Sequence, residues 1–278
     1  MKTCDLHTHS VFSDGTFTPV ELIDHAIECG LSALALTDHN TISGLNEFIA
    51  AAEGKPLEIA PGVEFTTAYN GTELHILGLF VMPDAFSKVN EYINRATILK
   101  EESNYKLVKK LNENGYRIRY IDILENSKGH VNRANIAAEL MKKGYLKSIS
   151  EGFNTILSKA HGFYEPPERL SSLETIRFIR SIGAVAVWAH PYIHMNFEQA
   201  DEFLPRAIDA GLQGMETMYS MYSPETTARA REVCLRYGLH ESGGSDFHGA
   251  NKPHISLGRG EDNLEIPYEF YKNLRALL

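Results

Sequence analysis

Short apolar runs alternate with amphipathic stretches along the first 80 or so residues of the chain. Residues 3–6 and 31–36 read as strands. The second, Leu31-Ser32-Ala33-Leu34-Ala35-Leu36, is almost wholly apolar, as strands covered on both faces are. Between them, residues 19–29 carry helix punctuation: Thr18 as N-cap, Pro19 at the first position and Gly30 closing the last turn. Residues 43–52 predict a second helix, and 57–65 and 73–81 two further strands.

The rhythm breaks at Pro83. Up to about Pro167 the chain is dominated by Lys, Glu and Asn. It shows helical spacing at 96–114 and at 134–143, the latter ended by Gly144, but no strand alternation. This predicts a helical subdomain (83–167) inserted into an alternating domain made of 1–82 and 168–278. The alternation then resumes: helix 173–182, strand 184–188, helix 197–210, strand 214–218, helix 224–237, strand 239–243. Repeated strand–helix units of this length predict the α/β class with a parallel sheet or barrel, whose active residues gather at the carboxyl ends of the strands.

Composition narrows the picture. Of 278 residues, 43% are apolar, enough for a sizeable core. The net charge of −9, from 27 basic and 36 acidic residues, argues against general affinity for nucleic acid or membranes. An anionic small substrate is still compatible, because bound cations change the local sign. Cys4, Cys29 and Cys234 are scattered, with no metal-binding spacing, which points to a reducing, cytoplasmic compartment. No signal peptide is expected, and no apolar run approaches the roughly 20 residues of a membrane span.

The chemistry sits where predicted strands end. His7 and His9, two apart, face one side of the chain there. Asp14 follows in Ser13-Asp14-Gly15, where an Asx turn is the competing reading. Asp38-His39 ends the second strand, with His39 as ligand and Asp38 orienting a neighbouring imidazole. Glu64 is a lone acid among apolar neighbours and needs a partner when buried. His75 and His190 are single polar residues in apolar runs, a pattern that alone describes a satisfied core histidine. Asp246 and His248 follow Gly243-Gly244, a pair that allows close backbone approach. Jointly these residues predict a histidine–carboxylate metal centre, with more donors than one ion needs. Several close cations can activate a water and stabilise charge on a transferring phosphoryl group. Among the other residues, Asp5 reads as a structural acceptor beneath the site, and Glu216 as a group that steadies a ligand or pairs with a base. Tyr192 reads as a substrate neighbour and His194 as a rim residue, since Pro191 argues against a helix joining it to His190. His25, His130, His161, His240 and His254 read as surface histidines.

The segments Asp5-Leu6-His7-Thr8-His9-Ser10, Thr37-Asp38-His39, Ala189-His190-Pro191 and Gly244-Ser245-Asp246-Phe247-His248, in this order and spacing, resemble the four motifs of the PHP family (polymerase and histidinol phosphatase domains) of the amidohydrolase superfamily. The resemblance implies a distorted (β/α)7 barrel with the helical subdomain inserted. It also implies two or three divalent ions, manganese, zinc or iron, in a trinuclear site. By that analogy Glu64 bridges two ions, with His7, His9 and Asp246 on one and His75 and His190 on the other, while Asp14, His39 and His248 hold the third. Glu64, Asp246 and His248, supported by Asp38, form the expected catalytic group. The insertion resembles that of small stand-alone phosphoesterases acting on 3′,5′-bisphosphonucleotides and on short RNA 5′ ends, in which it bears basic residues. Arg133, in His130-Val131-Asn132-Arg133, and Lys159 are the matching positions, although each also reads as a solvated surface cation. The expected partner is a small phosphorylated substrate, a nucleotide or a short RNA, with no membrane and no obligate protein. The alternatives are histidinol phosphate as substrate, amide hydrolysis, or a non-catalytic metal-binding accessory module.

Overall fold

The computed structural model describes residues 2–126 and 131–278. By internal packing the chain forms two compact units, residues 1–91 with 170–278, and residues 92–169.

The first unit is built on a curved sheet. β1 (Cys4–Asp5) pairs in parallel with β2 (Ala33–Leu36), and β2 with β3 (Glu58–Tyr69). β4 (Thr72–Leu79) returns antiparallel on β3, and the two-residue β5 (Leu170–Ser171) adds to the far end of β3. β6 (Val185–Ala189) lies antiparallel to β4, and β7 (Gly214–Tyr219) and β8 (His240–Gly244) continue in parallel. The main path is therefore seven strands, β1-β2-β3-β4-β6-β7-β8. Its two ends meet: Leu6 N donates to Gly243 O at 3.1 Å, Asp246 N to His7 O at 2.9 Å and His9 N to Phe247 O at 3.0 Å. The result is a nearly closed barrel of the expected α/β class.

The local rules explain most elements. Thr18 caps the helix Pro19–Glu28 through a reciprocal capping box with Glu21. β2 and β6 are buried at every position, as strands walled by helices must be. The interior is filled by Leu6, Ala35, Leu77, Val187 and their neighbours, all excluded from solvent.

The structure corrects two expectations. The sheet is not purely parallel, because β3 and β4 form a hairpin. Asn70-Gly71 forms its two-residue turn, with φ of 48° and 82°, and positive φ at both central residues is what such a turn requires. The hairpin also carries β3 on to Tyr69, so Glu64 lies in mid-strand rather than at a strand end. The C-terminal helix Tyr268–Arg275, which the pattern reading passed over, buries Phe270, Tyr271 and Leu274 against β1 and β8.

The second unit is helical: Tyr120–Asn126, Arg133–Lys142, Ile149–Asn154 and most of the long helix Phe86–Glu113. It has a core of its own, including Leu107, Leu111, Ile123, Ile136, Leu140 and Leu157. The long helix starts at Phe86 rather than at residue 96. Its polar first turns hide the stripe of buried Val89 and Tyr92.

Candidate metal centre

Glu64 is fully buried, and five imidazoles surround its carboxylate. Oε1 lies 2.8 Å from His75 Nδ1 and 3.0 Å from His190 Nε2. Oε2 lies 2.9 Å from His39 Nδ1, 3.2 Å from His7 Nε2 and 3.4 Å from His9 Nε2. β3 supplies Glu64, β4 supplies His75, and the segments after β1, β2 and β6 supply the others. Asp246 closes the ring after β8, with Oδ1 3.1 Å from His9 Nε2 and 3.7 Å from His7 Nε2. Asp14 is half exposed; its carboxylate stands 3.2 Å from His248 Nε2, 3.7 Å from His9 Nδ1 and 3.8 Å from His39 Nε2. All the predicted metal ligands thus come together in the first unit.

Local backbone geometry makes this convergence possible. A Cβ on Gly244 would stand 2.1 Å from the Cβ of His7, so only glycine lets β8 approach that histidine. His190 (φ 28°) and Asp246 (φ 57°) both adopt left-handed backbone, a strain of about 1–3 kcal/mol each that the surrounding structure has to hold.

The donor set fits divalent cations. His7 Nε2, both ring nitrogens of His9, His39 Nδ1, Glu64 Oε2, His75 Nε2 and His190 Nδ1 are buried and lack hydrogen-bond partners. Buried polar atoms are normally paired; here His7 Nε2, His9 Nε2 and His39 Nδ1 all lie within 3.4 Å of Glu64 Oε2. His39 Nδ1 and Glu64 Oε2 are 2.9 Å apart without hydrogen-bonding alignment, as two lone pairs directed at a common cation would be. Among the described residues five sets of side chains each bring ligand atoms within 4.8 Å of one another: His9, Asp14, His39 and His248; His7, His9 and Asp246; His7, Glu64 and His190; His39, Glu64 and His75; and His75, His190 and His194.

A second layer of contacts sets the imidazole tautomers. Glu216, buried on β7, accepts from His7 Nδ1 at 3.0 Å and from the His190 backbone N–H at 2.6 Å. His248 Nδ1 donates to the Asp246 carbonyl at 2.8 Å, which leaves Nε2 free to ligate. Asp38 plays a different part from the one expected. It accepts from Ser10 N (2.7 Å), Ser10 Oγ (2.6 Å) and Ser13 Oγ (2.6 Å), so it pins the loop between His9 and Asp14 rather than orienting an imidazole. Asp5, fully buried, accepts from Ser245 N, Ser245 Oγ and Gly258 N; burial raises its carboxyl to about 6 against those hydrogen bonds. Two neighbours were not foreseen. Tyr219 donates to Asp246 Oδ2 at 2.9 Å, and Lys252 stands 2.7 Å from the same oxygen. Tyr219 ends an apolar strand and Lys252 lies in a polar loop, so neither carries a local sequence signal.

Arg133 and Lys159 belong to the second unit. The Arg133 guanidinium stacks on Tyr164 (4.2 Å) and Phe153 (4.9 Å), beside a cavity of about 370 Å³ also lined by Lys100, Asn104 and Asn132. Arg133 is thus a half-buried, aromatic-flanked cation and not a solvated one. Lys159 is exposed at the start of the short turn Lys159–His161. His130 lies outside the described residues.

With this geometry in view, the comparisons with known proteins settle the family. Residues 5–165 match the PHP domain. The chain belongs to the PHP domain family. His190, Asp246 and His248 lie beyond the matched stretch, and the fold is what brings them beside His7, His9 and Glu64 of that stretch. The 3′,5′-nucleoside bisphosphate phosphatase of Chromobacterium violaceum is 28% identical over 285 residues, covering 99% of this chain and 98% of the relative. A 5′-3′ exoribonuclease of Haemophilus influenzae is 28% identical over 251 residues, covering 89% of this chain and 90% of the relative. Among solved structures, a candidate metal-dependent phosphoesterase from Bifidobacterium adolescentis superposes with a TM-score of 0.68 at 28% identity, covering 99% of this chain and 96% of the other.

Glu216 has two donors to satisfy, so Glu216→Gln must orphan one of them. The expected result is about 10–100-fold weaker metal binding with the fold retained, read by titration against a fluorescent chelator; unchanged affinity would remove Glu216 from the centre. A pH dependence follows as well. Without metal, burial disfavours the His7 imidazolium, but Glu64 and Glu216 outweigh burial and raise His7 well above its ordinary value. His39 is raised for a similar reason, with Glu64 overcoming burial, whereas burial pushes His9 down to about 4. The His7 contribution to the stability of the metal-free protein is complete below about pH 6.5 and is lost as pH rises through the folded value. Ligation needs neutral imidazole, so metal uptake at pH 7 should release protons from His7 and His39. Calorimetry in buffers of different ionisation enthalpy measures that release; a buffer-independent heat would contradict it.

Proposed function

We propose that the protein is a metal-dependent phosphoesterase that hydrolyses phosphate monoesters of 3′,5′-bisphosphonucleotides or the 5′ ends of short oligonucleotides. The observation that carries this reading is the buried Glu64 carboxylate ringed by five imidazoles, three of which (His7, His9 and His39) face its Oε2 with ring nitrogens that have no hydrogen-bond partner. The nucleotide preference rests on the names of the relatives, one a bisphosphate phosphatase and one an exoribonuclease.

In this reading His7, His9, Asp14, His39, Glu64, His75, His190, Asp246 and His248 hold two or three divalent ions, with manganese, zinc and iron as candidates. Such ions supply Lewis acidity to water and to phosphoryl oxygens. Asp14, Glu64, Asp246 and the adjoining buried Glu216 contribute four negative charges, which two divalent cations would balance and three would exceed, so a fully loaded pocket would be positive in a protein of net charge −9. Asp246 offers Oδ1 towards His7 and His9, while Tyr219 and Lys252 occupy Oδ2, which fixes the rotation of that carboxylate. Burial pushes the Tyr219 phenol up, so it stays a donor at neutral pH. Glu64, Asp246 and His248 are the catalytic group, with Asp38 holding the loop beside them. Arg133 and Lys159 are the proposed phosphate contacts of the substrate. The free thiols of Cys4, Cys29 and Cys234 support a reducing, cytoplasmic compartment. Among the described residues no helix is long and apolar enough to cross a membrane.

The deciding experiment is phosphate release by the manganese-loaded protein from 3′,5′-bisphosphoadenosine, with 5′-AMP, histidinol phosphate and a 5′-phosphorylated oligonucleotide alongside. Release from the bisphosphate or the oligonucleotide is expected, and Asp246→Asn should lower it by about a hundredfold or more while the circular dichroism spectrum persists. Release from histidinol phosphate alone would overturn the nucleotide assignment, and release from none would overturn the phosphomonoesterase reading. Arg133→Ala should raise KM about tenfold or more, the cost of a charge-assisted phosphate contact, and change kcat less. An unchanged KM would remove Arg133 from the substrate site.

A further inference from the structure

His194 is not among the ligands the motifs supply, yet the fold places it beside two of them. The segment after β6 forms a single helical turn, Pro191–His194. Pro191 does not prevent this turn, because the first position of a helix has no intrahelical use for its N–H. His190 occupies the N-cap, and the i, i+4 relation brings His194 onto the same side. His75, His190 and His194 each present a ring nitrogen within 4.8 Å of the other two. Their ring centres are 5.1 Å (His75–His190), 5.4 Å (His75–His194) and 5.6 Å (His190–His194) apart.

The chemistry of this trio differs from that of its neighbours. The grouping of His9, His39 and His248 includes Asp14, and that of His7 and His9 includes Asp246. The trio has no aspartate of its own; the carboxylate atom it meets is the shared Glu64 Oε1, 2.8 Å from His75 Nδ1 and 3.0 Å from His190 Nε2. A second observation points to a ligand here, since His190 Nδ1 is buried without a hydrogen-bond partner. On the other side of His75, Nε2 lies 3.4 Å from Glu73 Oε1, the kind of outer carboxylate that steadies a ligating imidazole.

We propose that His194 is a metal ligand that completes, with His75 and His190, a three-imidazole subsite selective for zinc over manganese. Imidazole suits zinc, whereas carboxylate and water suit manganese, and zinc stands above manganese in the general order of divalent affinity. Three histidines with an open fourth position form a common zinc environment. Tetrahedral ligation sets ligand nitrogens about 3.3 Å apart, within reach of small ring rotations from the spacing seen here. The centre would then be chemically graded: nitrogen-rich at the rim beside β4, and mixed nitrogen and oxygen beside Asp14 and Asp246. This inference rests on the metal-centre reading of the preceding subsection.

The test measures bound metal. Metal-free wild-type protein, His194→Gln and His194→Cys are equilibrated with equal excesses of zinc and manganese, freed of unbound ions and analysed by mass spectrometry for each metal per chain. The expected wild-type result is about one tightly held zinc per chain besides manganese. His194→Gln should lose that zinc, with affinity lower by more than about tenfold, and keep its manganese. His194→Cys supplies a thiolate at the same position and should retain zinc. Cobalt substitution gives an independent reading: the tetrahedral absorption band should weaken in His194→Gln. Zinc retained by His194→Gln with unchanged affinity would overturn the His194 assignment alone. Metal-free behaviour of the wild type would overturn the whole centre, and with it the phosphoesterase reading. Should His194→Gln fold poorly by near-ultraviolet dichroism, zinc retention by His194→Cys decides: retention supports the ligand role and loss refutes it.

Discussion

A carboxylate with no access to water and five imidazoles within 3.4 Å is the constraint on which this molecule is organised. An isolated buried Glu64 would cost several kcal/mol in desolvation. The histidines reverse that balance: burial raises the Glu64 carboxyl, but the charge of His7, the hydrogen bond of His190 and the close approach of His39 carry it well below its ordinary value. The partners come from four separate parts of the chain, so satisfying one side chain of β3 fixes the relative positions of β1, β2, β3, β4 and β6. The same cluster that suits metal binding therefore also holds the carboxyl ends of the barrel strands in register.

Much of this was legible in the sequence, for reasons that differ between residues. The pairs His7/His9 and Asp246/His248 stand out because spacing of two at a strand end puts both side chains on one face, and Gly244 is explained by its contact distance to His7. The helices read easily where caps and closing glycines mark them, as at Thr18 and Gly30. The antiparallel hairpin was missed although Asn70-Gly71 announces it, because the surrounding strand–helix alternation favoured a parallel reading. Asp38 was misread for a different reason. A carboxylate next to a histidine in sequence suggests a partner in space, yet its oxygens are occupied by Ser10 and Ser13, and the carboxylate that supports an imidazole, Glu216, comes from a strand far along the chain. Such pairings depend on which strands become neighbours, and local pattern does not encode that.

The PHP family match and the geometry support one another at different points. The matched stretch covers His7, His9, Asp14, His39, Glu64, His75 and most of the helical unit. The fold brings His190, Asp246 and His248, nearer the C-terminus, into the same pocket. The relatives at 28% identity carry different activity names over most of their own length, as happens where one fold hosts several activities.

The closure of the barrel has a consequence for how the protein is made. Asp5, near the start of the chain, is held by Ser245 and Gly258 near its end, and Leu6 pairs with Gly243. Asp246 is synthesised 239 residues after His7 (246 − 7). Until then His7 and His9 have no closing wall, and a nascent chain can offer a cation only an open, partial set of donors. The full donor cluster therefore exists only once β8 and the segment after it have been made, and a chain ending before β8 would keep His7, His9, Asp14, His39, Glu64, His75 and His190 but lack Asp246 and His248. Contacts of such long sequence separation also slow the final closure step, leaving a window in which the donors later buried in the barrel stand open to solvent.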